Sequence, residues 1–190
     1  FPKLIEFKSG SDWEYELQAA ESIEQVDELT IKFKLKPGLM WTGDYGEVTT
    51  EDVKYSYERY IDPDLASPII GDWLPLKEVE IVDKYSGIIH LKEPFAPIWW
   101  STLPYTSGAI VSKKATEKAG GKFTTDPGAT AGAYKIETWV PREKTVLIPH
   151  DGWNGPKAGF DKITILPIQE PKSAEIAFEA GEIDITEISI

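Results

Sequence analysis

Leu29, Ile31, Phe33 and Leu35 alternate with Thr30, Lys32 and Lys34 without a break. That period of two predicts a strand with one buried face, and hence a partner layer for that face. Pro37 and Gly38 then supply turn chemistry. Thr49 and Thr50 followed by Glu51 and Asp52 predict a helix start: a Thr cap, with acidic side chains where the helix dipole favours them. Val53, Tyr57 and Tyr60 recur at helical spacing, so this helix buries a face and runs to about Asp62 and Pro63.

Further along, residues 79–82 and 87–91 flank residues 83–86 as a hairpin. Pro94, Pro97 and Pro104 break up an aromatic stretch from Phe95 to Tyr105, which predicts a short helix with irregular ends. Residues 113–118 offer one or two helical turns, and residues 124–132 a loop of small side chains. Strands are expected over 134–139, 145–148 and 162–166, then a helix over 173–180 closed by Gly181. Residues 181–185 read as the start of one more strand, and both chain ends read as the middle of a longer protein. Strands and helices do not alternate regularly, so the class is α+β.

Composition excludes several functions. The formal charge of −12 argues against nucleic acid, whose recognition rests on Lys and Arg, and against anionic lipid. No Cys is present, which removes thiol catalysis, disulfides and thiolate metal sites. The longest apolar run, around Ile98, Trp99 and Trp100, is far short of the roughly 20 residues of a spanning helix. His90 and His150 lie far apart, each in or beside a strand pattern, and read as satisfied rather than catalytic. No nucleotide, zinc-protease or hydrolase motif occurs, so neither cofactor nor metal is expected. The carboxylates are too many to single out a glycosidase pair.

Seven Trp are many for 190 residues. Trp41, Trp139 and Trp153, at strands and turns, read as packing. Trp73, Trp99 and Trp100 lie in irregular stretches, where binding residues gather, and a flat ring there can stack on a ligand. Neighbours in sequence, Trp99 and Trp100 cannot both face one way, so at most one of them meets a ligand.

Taken together, residues 29–41 and 48–59 resemble the signature block of the family 5 solute-binding proteins, the oligopeptide, dipeptide and nickel-binding group. The likeness continues through Asp62 and Pro63, Ser67 and Pro68, residues 79–83 and 91–97, Tyr134 to Ile136, Trp153 with residues 160–163, and residues 177–184. Where the family has Gly-Thr-Gly-Pro-Tyr, this chain keeps only Gly132 and Tyr134. The resemblance implies a bilobal periplasmic-binding-protein type II fold that closes over its solute by hinge motion. It implies that residues 1–35 are the edge of a mixed-sheet N-terminal lobe and that residues 36–130, with the capped helix 49–61, form a small accessory α/β domain. Residues 131–190 would return to the N-terminal lobe, the C-terminal lobe being absent and solute binding by this chain alone weak.

The implied role is the non-enzymatic substrate-binding component of an ABC importer, periplasmic or lipid-anchored on the outer face of the cytoplasmic membrane. Its partners would be a small solute and a membrane permease. Some peptide binders place an aromatic residue toward the ligand just after Ser67 and Pro68; here Ile69 and Ile70 follow, and Trp73 is the nearest aromatic. Ile69, Trp73, Trp99 and Trp100 are therefore the candidate ligand contacts. The missing aromatic and the Trp excess leave an oligosaccharide as an alternative solute, with a glycan-active enzyme as a second alternative.

Overall fold

The computed structural model describes residues 1–11, 13–123 and 128–188. Residue 12, residues 124–127 of the loop expected over 124–132, and the last two residues lie outside them. The chain forms two compact units, Phe1–Lys135 with His150–Lys157, and Ile136–Pro149 with Ala158–Ile190.

In the first unit, β1 (Ile5–Phe7) pairs antiparallel with β2 (Tyr15–Leu17). The main layer is a four-stranded sheet in the order β3-β4-β6-β5. It contains β3 (Ala20–Asp27), β4 (Thr30–Leu35), β5 (Leu76–Ile81) and β6 (Ser86–Leu91), every neighbour antiparallel. Ile31, Phe33 and Leu35 point from β4 into the core, as the alternation requires, together with Val79, Ile89 and Leu91. Helix α1 (Thr50–Glu58) adds Val53 and Tyr57 to the same core. Gly87 is needed there, since a Cβ on it would lie 2.5 Å from the Phe33 ring and 2.7 Å from the Thr50 methyl.

Local chemistry sets the element ends. Thr49 N–H donates to the Asp52 carboxylate at 2.9 Å, closing the first turn of α1. A 3-10 turn, Arg59–Ile61, finishes the helix before Pro63. The β5–β6 turn is tied by Asp83, whose carboxylate accepts the Tyr85 and Ser86 N–H groups at 2.8 Å each. Helix α2 (Lys113–Lys118) starts where the Ser112 hydroxyl accepts from Ala115 N. The stretch from Phe95 to Tyr105, expected as one short helix, forms a single 3-10 turn, Ala96–Trp99, with Pro97 in its first positions; a second 3-10 turn, Thr106–Gly108, follows the stretch. A boundary between residues 35 and 36 would separate β3 and β4 from β5 and β6, with which they share one hydrogen-bonded sheet.

The second unit holds β7 (Tyr134–Val140), β8 (Lys144–Pro149) and β9 (Ile163–Ile165) in that order, with helix α3 (Pro171–Glu179). Gly181, at φ +74°, ends α3, and Glu182 N–H turns back to Ala177 O. The strand expected from residue 181 does not form, and residues 183–188 are irregular. No residue of α3 is buried, and Trp139, Ile165, Ile176 and Phe178 are all exposed. Among the described residues of this unit only Val146 is buried, so most of its apolar side chains lie on open faces.

Candidate functional site

Four side chains were candidate ligand contacts, and the structure distributes them over separate places. The 3-10 turn Ile70–Asp72 delivers Trp73 into the core, where it is 1% exposed. Its ring stacks on Tyr57 with centroids 4.2 Å apart and on Tyr60 at 6.3 Å. The indole N–H donates to Ser107 O at 2.8 Å, and the Tyr57 hydroxyl donates to Gly108 O at 3.2 Å. Burial raises the pKa of both phenols, Tyr57 most, so each stays protonated across the physiological range. Trp73 thus presents no face to solvent; an apolar ring with one satisfied N–H is more stable in the core than in an open groove.

Ile69 is half-buried just before that turn, and its N–H donates to the Ser67 hydroxyl. The preceding Ala66 holds φ at +50°, an unusual conformation for a residue with a Cβ. Trp99 and Trp100 come together on a third residue, Tyr15 of β2. Trp99 stacks on it at 5.7 Å and 21°, while Trp100 is tilted at 6.1 Å and 59°. The Trp99 N–H donates to Gln25 Oε1 at 3.0 Å, fixing the ring against β3, and Trp100 stays 44% exposed. Tyr15 was missed from sequence; its signal is weak, a single aromatic in a three-residue strand. Among the tryptophans read as packing, Trp41 is buried with its N–H on Asp52, and Trp153 is half-buried with its N–H on Pro156 O. Trp139 differs, standing exposed on β7.

A polar groove of about 640 Å³ opens at the start of α1, walled by Tyr45, Glu47, Glu51, Asp83, Lys84 and Lys113 among others. No sequence pattern marks it, because its walls come from three separate stretches of chain, residues 45–52, 81–84 and 113–114. Its charges are largely committed to one another. Glu47 accepts from Lys84 Nζ at 2.6 Å, from the Tyr85 hydroxyl at 2.8 Å and from Gly38 N–H. The Lys84 hydrogen bond is the main cause holding the Glu47 carboxyl below its ordinary 4.5, and it raises the Lys84 pKa in return. A carboxyl whose folded pKa is depressed stabilises the fold above its unfolded value and loses that contribution as pH falls through the folded one. Unfolding followed between about pH 5 and pH 3 should therefore show an acid-side loss of stability that Glu47→Gln reduces. An unchanged acid limb in Glu47→Gln would show that the pair contributes nothing.

The histidines are satisfied as expected. His90 Nε2 lies 2.8 Å from Glu80 Oε2, and buried His150 has Nδ1 3.1 Å from Gly132 O. Among the described residues no three His, Asp or Glu side chains gather as a metal site, and no helix is long and apolar enough to cross a membrane.

The family described as bacterial extracellular solute-binding proteins, family 5 Middle, matches residues 14–190. The periplasmic oligopeptide-binding protein OppA of Escherichia coli K12 is 32% identical over 191 residues, covering 90% of this chain and 35% of that protein. Among solved structures, MoaA from A. tumefaciens R10 in complex with mannopinic acid superposes with a TM-score of 0.86 at 29% identity, over 97% of this chain and 38% of that one. DppA from Helicobacter pylori, in complex with the peptide STSA, gives a TM-score of 0.80 at 27% identity, over 96% and 40%. The chain spans about a third of the length of the curated relative it matches. None of these proteins is described as binding an oligosaccharide, so that reading has no support. The match over residues 14–190, with the fold shared along nearly the whole chain, makes this a member of the family 5 bacterial extracellular solute-binding proteins.

Proposed function

We propose that the whole protein is the substrate-binding component of an ABC importer and captures peptides outside the cytoplasmic membrane, either free in the periplasm or lipid-anchored. The observation that carries this reading is the 32% identity to a periplasmic oligopeptide-binding protein along 90% of the chain. The backbone likeness to a structure solved with a bound peptide supports it. The same relatives are described as binding proteins, which supports a binding role without catalysis. The partner that takes the solute onward would be a membrane permease.

In this reading the four-stranded sheet with α1 and α2 forms the accessory domain, which therefore reaches back from residue 36 to Ala20. The stretch from residue 131 onward belongs to the N-terminal lobe. The apolar side chains that α3, β7 and β9 leave exposed support a lobe that further polypeptide completes. Solute would then be held between this portion and the opposite lobe, and closure by hinge motion would supply most of the contacts.

Titration calorimetry of the full-length protein with short peptides is expected to give a Kd of about micromolar or tighter, while the 190-residue chain alone binds at least about a hundredfold more weakly. Equal affinity in the chain alone would overturn the two-lobed assignment of the site. No heat from any peptide with the full-length protein would overturn the peptide assignment.

A further inference from the structure

Strand β5 ends the four-stranded sheet, so on one side it has no strand neighbour among the described residues. Val79 stands opposite Ile89 of β6, between Glu78 opposite His90 and Glu80 opposite Ile88, and its N–H and C=O bond to side chains of α1, so they are directed away from the sheet. A bare edge of this kind is a template for another strand. Both outward groups of Val79 are occupied. Val79 N–H donates to Glu58 Oε1 at 2.8 Å, and Val79 O accepts from Lys54 Nζ at 2.8 Å. Lys54 Nζ also donates to Glu58 Oε1, at 2.6 Å, so the three residues form a closed ring of hydrogen bonds. Lys54 and Glu58 are one turn apart on α1. Between them they present to Val79 one acceptor and one donor, the set a neighbouring strand would offer.

We propose that Lys54 and Glu58 act as a side-chain substitute for a fifth strand, which keeps β5 from pairing with a second copy of this chain. The second copy is the relevant occupant because an antiparallel pair centred on Val79 is self-complementary: Val79 meets its own equivalent and two-fold symmetry closes the contact. The same register sets Glu78 opposite Glu80 of the other copy, twice. Like charges directly opposed across strands are destabilising, and both side chains are solvent-exposed. The edge therefore carries two guards: hydrogen bonds to Val79 from a partly exposed Lys54–Glu58 ion pair, and the like-charge repulsion of Glu78 and Glu80. Salt removes most of the repulsion and weakens the ion pair, but it leaves the two hydrogen bonds to Val79 in place.

Two measurements on the full-length protein test this. Lys54→Ala with Glu58→Ala, checked for folding by circular dichroism, is examined by light scattering in about 0.15 M and about 1 M salt. The parent is expected to be monomeric in both, and the double variant to dimerise in the higher salt, with the Val79 and Ile81 amides protected in the dimer. A double variant monomeric in both would overturn the proposal, as would a dimer that leaves those amides unprotected. Glu58→Ala alone is the milder probe if the double variant fails to fold. It removes the acceptor for Val79 N–H, so hydrogen exchange at that amide should speed up by about five- to tenfold. An unchanged exchange rate would show that the edge is not held by this ring.

Discussion

Trp73→Ala is expected to lower the unfolding free energy by about 3–5 kcal/mol, a large part of the total for an ordinary domain. Three contributions are lost together. The ring is fully buried, so its removal leaves a cavity. It stacks on Tyr57 and Tyr60, which then face that cavity. Its N–H is the donor to Ser107 O, which is left without it. The segment beyond is poorly placed to collapse into the space, because Gly108 already packs so closely that a Cβ on it would sit 2.0 Å from Leu103 O. Trp73→Phe keeps a stacked ring and loses the N–H, so it should cost about 1–2 kcal/mol. Urea unfolding of the three proteins checks the order, and a Trp73→Ala loss below about 1 kcal/mol would show that this ring is not central to the core.

Asp52→Ala is the second large effect. One buried carboxylate holds four donors: Trp41 Nε1 at 3.3 Å, Thr49 N at 2.9 Å, the Thr49 hydroxyl at 3.2 Å and Lys113 N at 2.9 Å. It therefore joins the start of α1, the start of α2 and the tryptophan that follows β4. Alanine strands the backbone donors and the indole, for a loss of about 2–4 kcal/mol. Thermal unfolding should shift down by about 5–15 °C. Asp52→Asn, which keeps one acceptor oxygen, should recover part of that shift. A fall of less than about 2 °C in Asp52→Ala would mean that water replaces the carboxylate at little cost.

These two residues also show what a sequence discloses. Asp52 was legible as the acidic first-turn residue of a capped helix, because capping is a local rule. That the same carboxylate receives Lys113 N–H, 61 positions away, is a tertiary fact with no local signature. Trp73 was legible only as an aromatic in an irregular stretch, which describes pocket and core residues equally well. Its burial depends on Ser107 and Gly108, brought in by a separate loop.

The same division holds for the strands. β4 was readable because one face is buried and the other wet, giving the alternation Ile31, Phe33, Leu35. β3, its partner, was not. It is an edge strand with most residues exposed on both faces, so Glu21, Ser22, Glu24 and Gln25 carry no period of two. β1 and β2 are three residues each, too short for any period to show. The strand expected after Gly181 rested on Ile183 and Ile185 alone, and nothing among the described residues pairs with them. Family membership was legible where fold detail was not, since it rests on many short local motifs in a fixed order.

The peptide-binding role is tested most directly by native mass spectrometry of the full-length protein purified without any unfolding step, because a slowly released solute survives purification. The expected result is a spread of added masses that fragment into amino-acid residues. A ladder of hexose spacing, or a protein that carries no added mass and gains none when peptides are supplied, would contradict it.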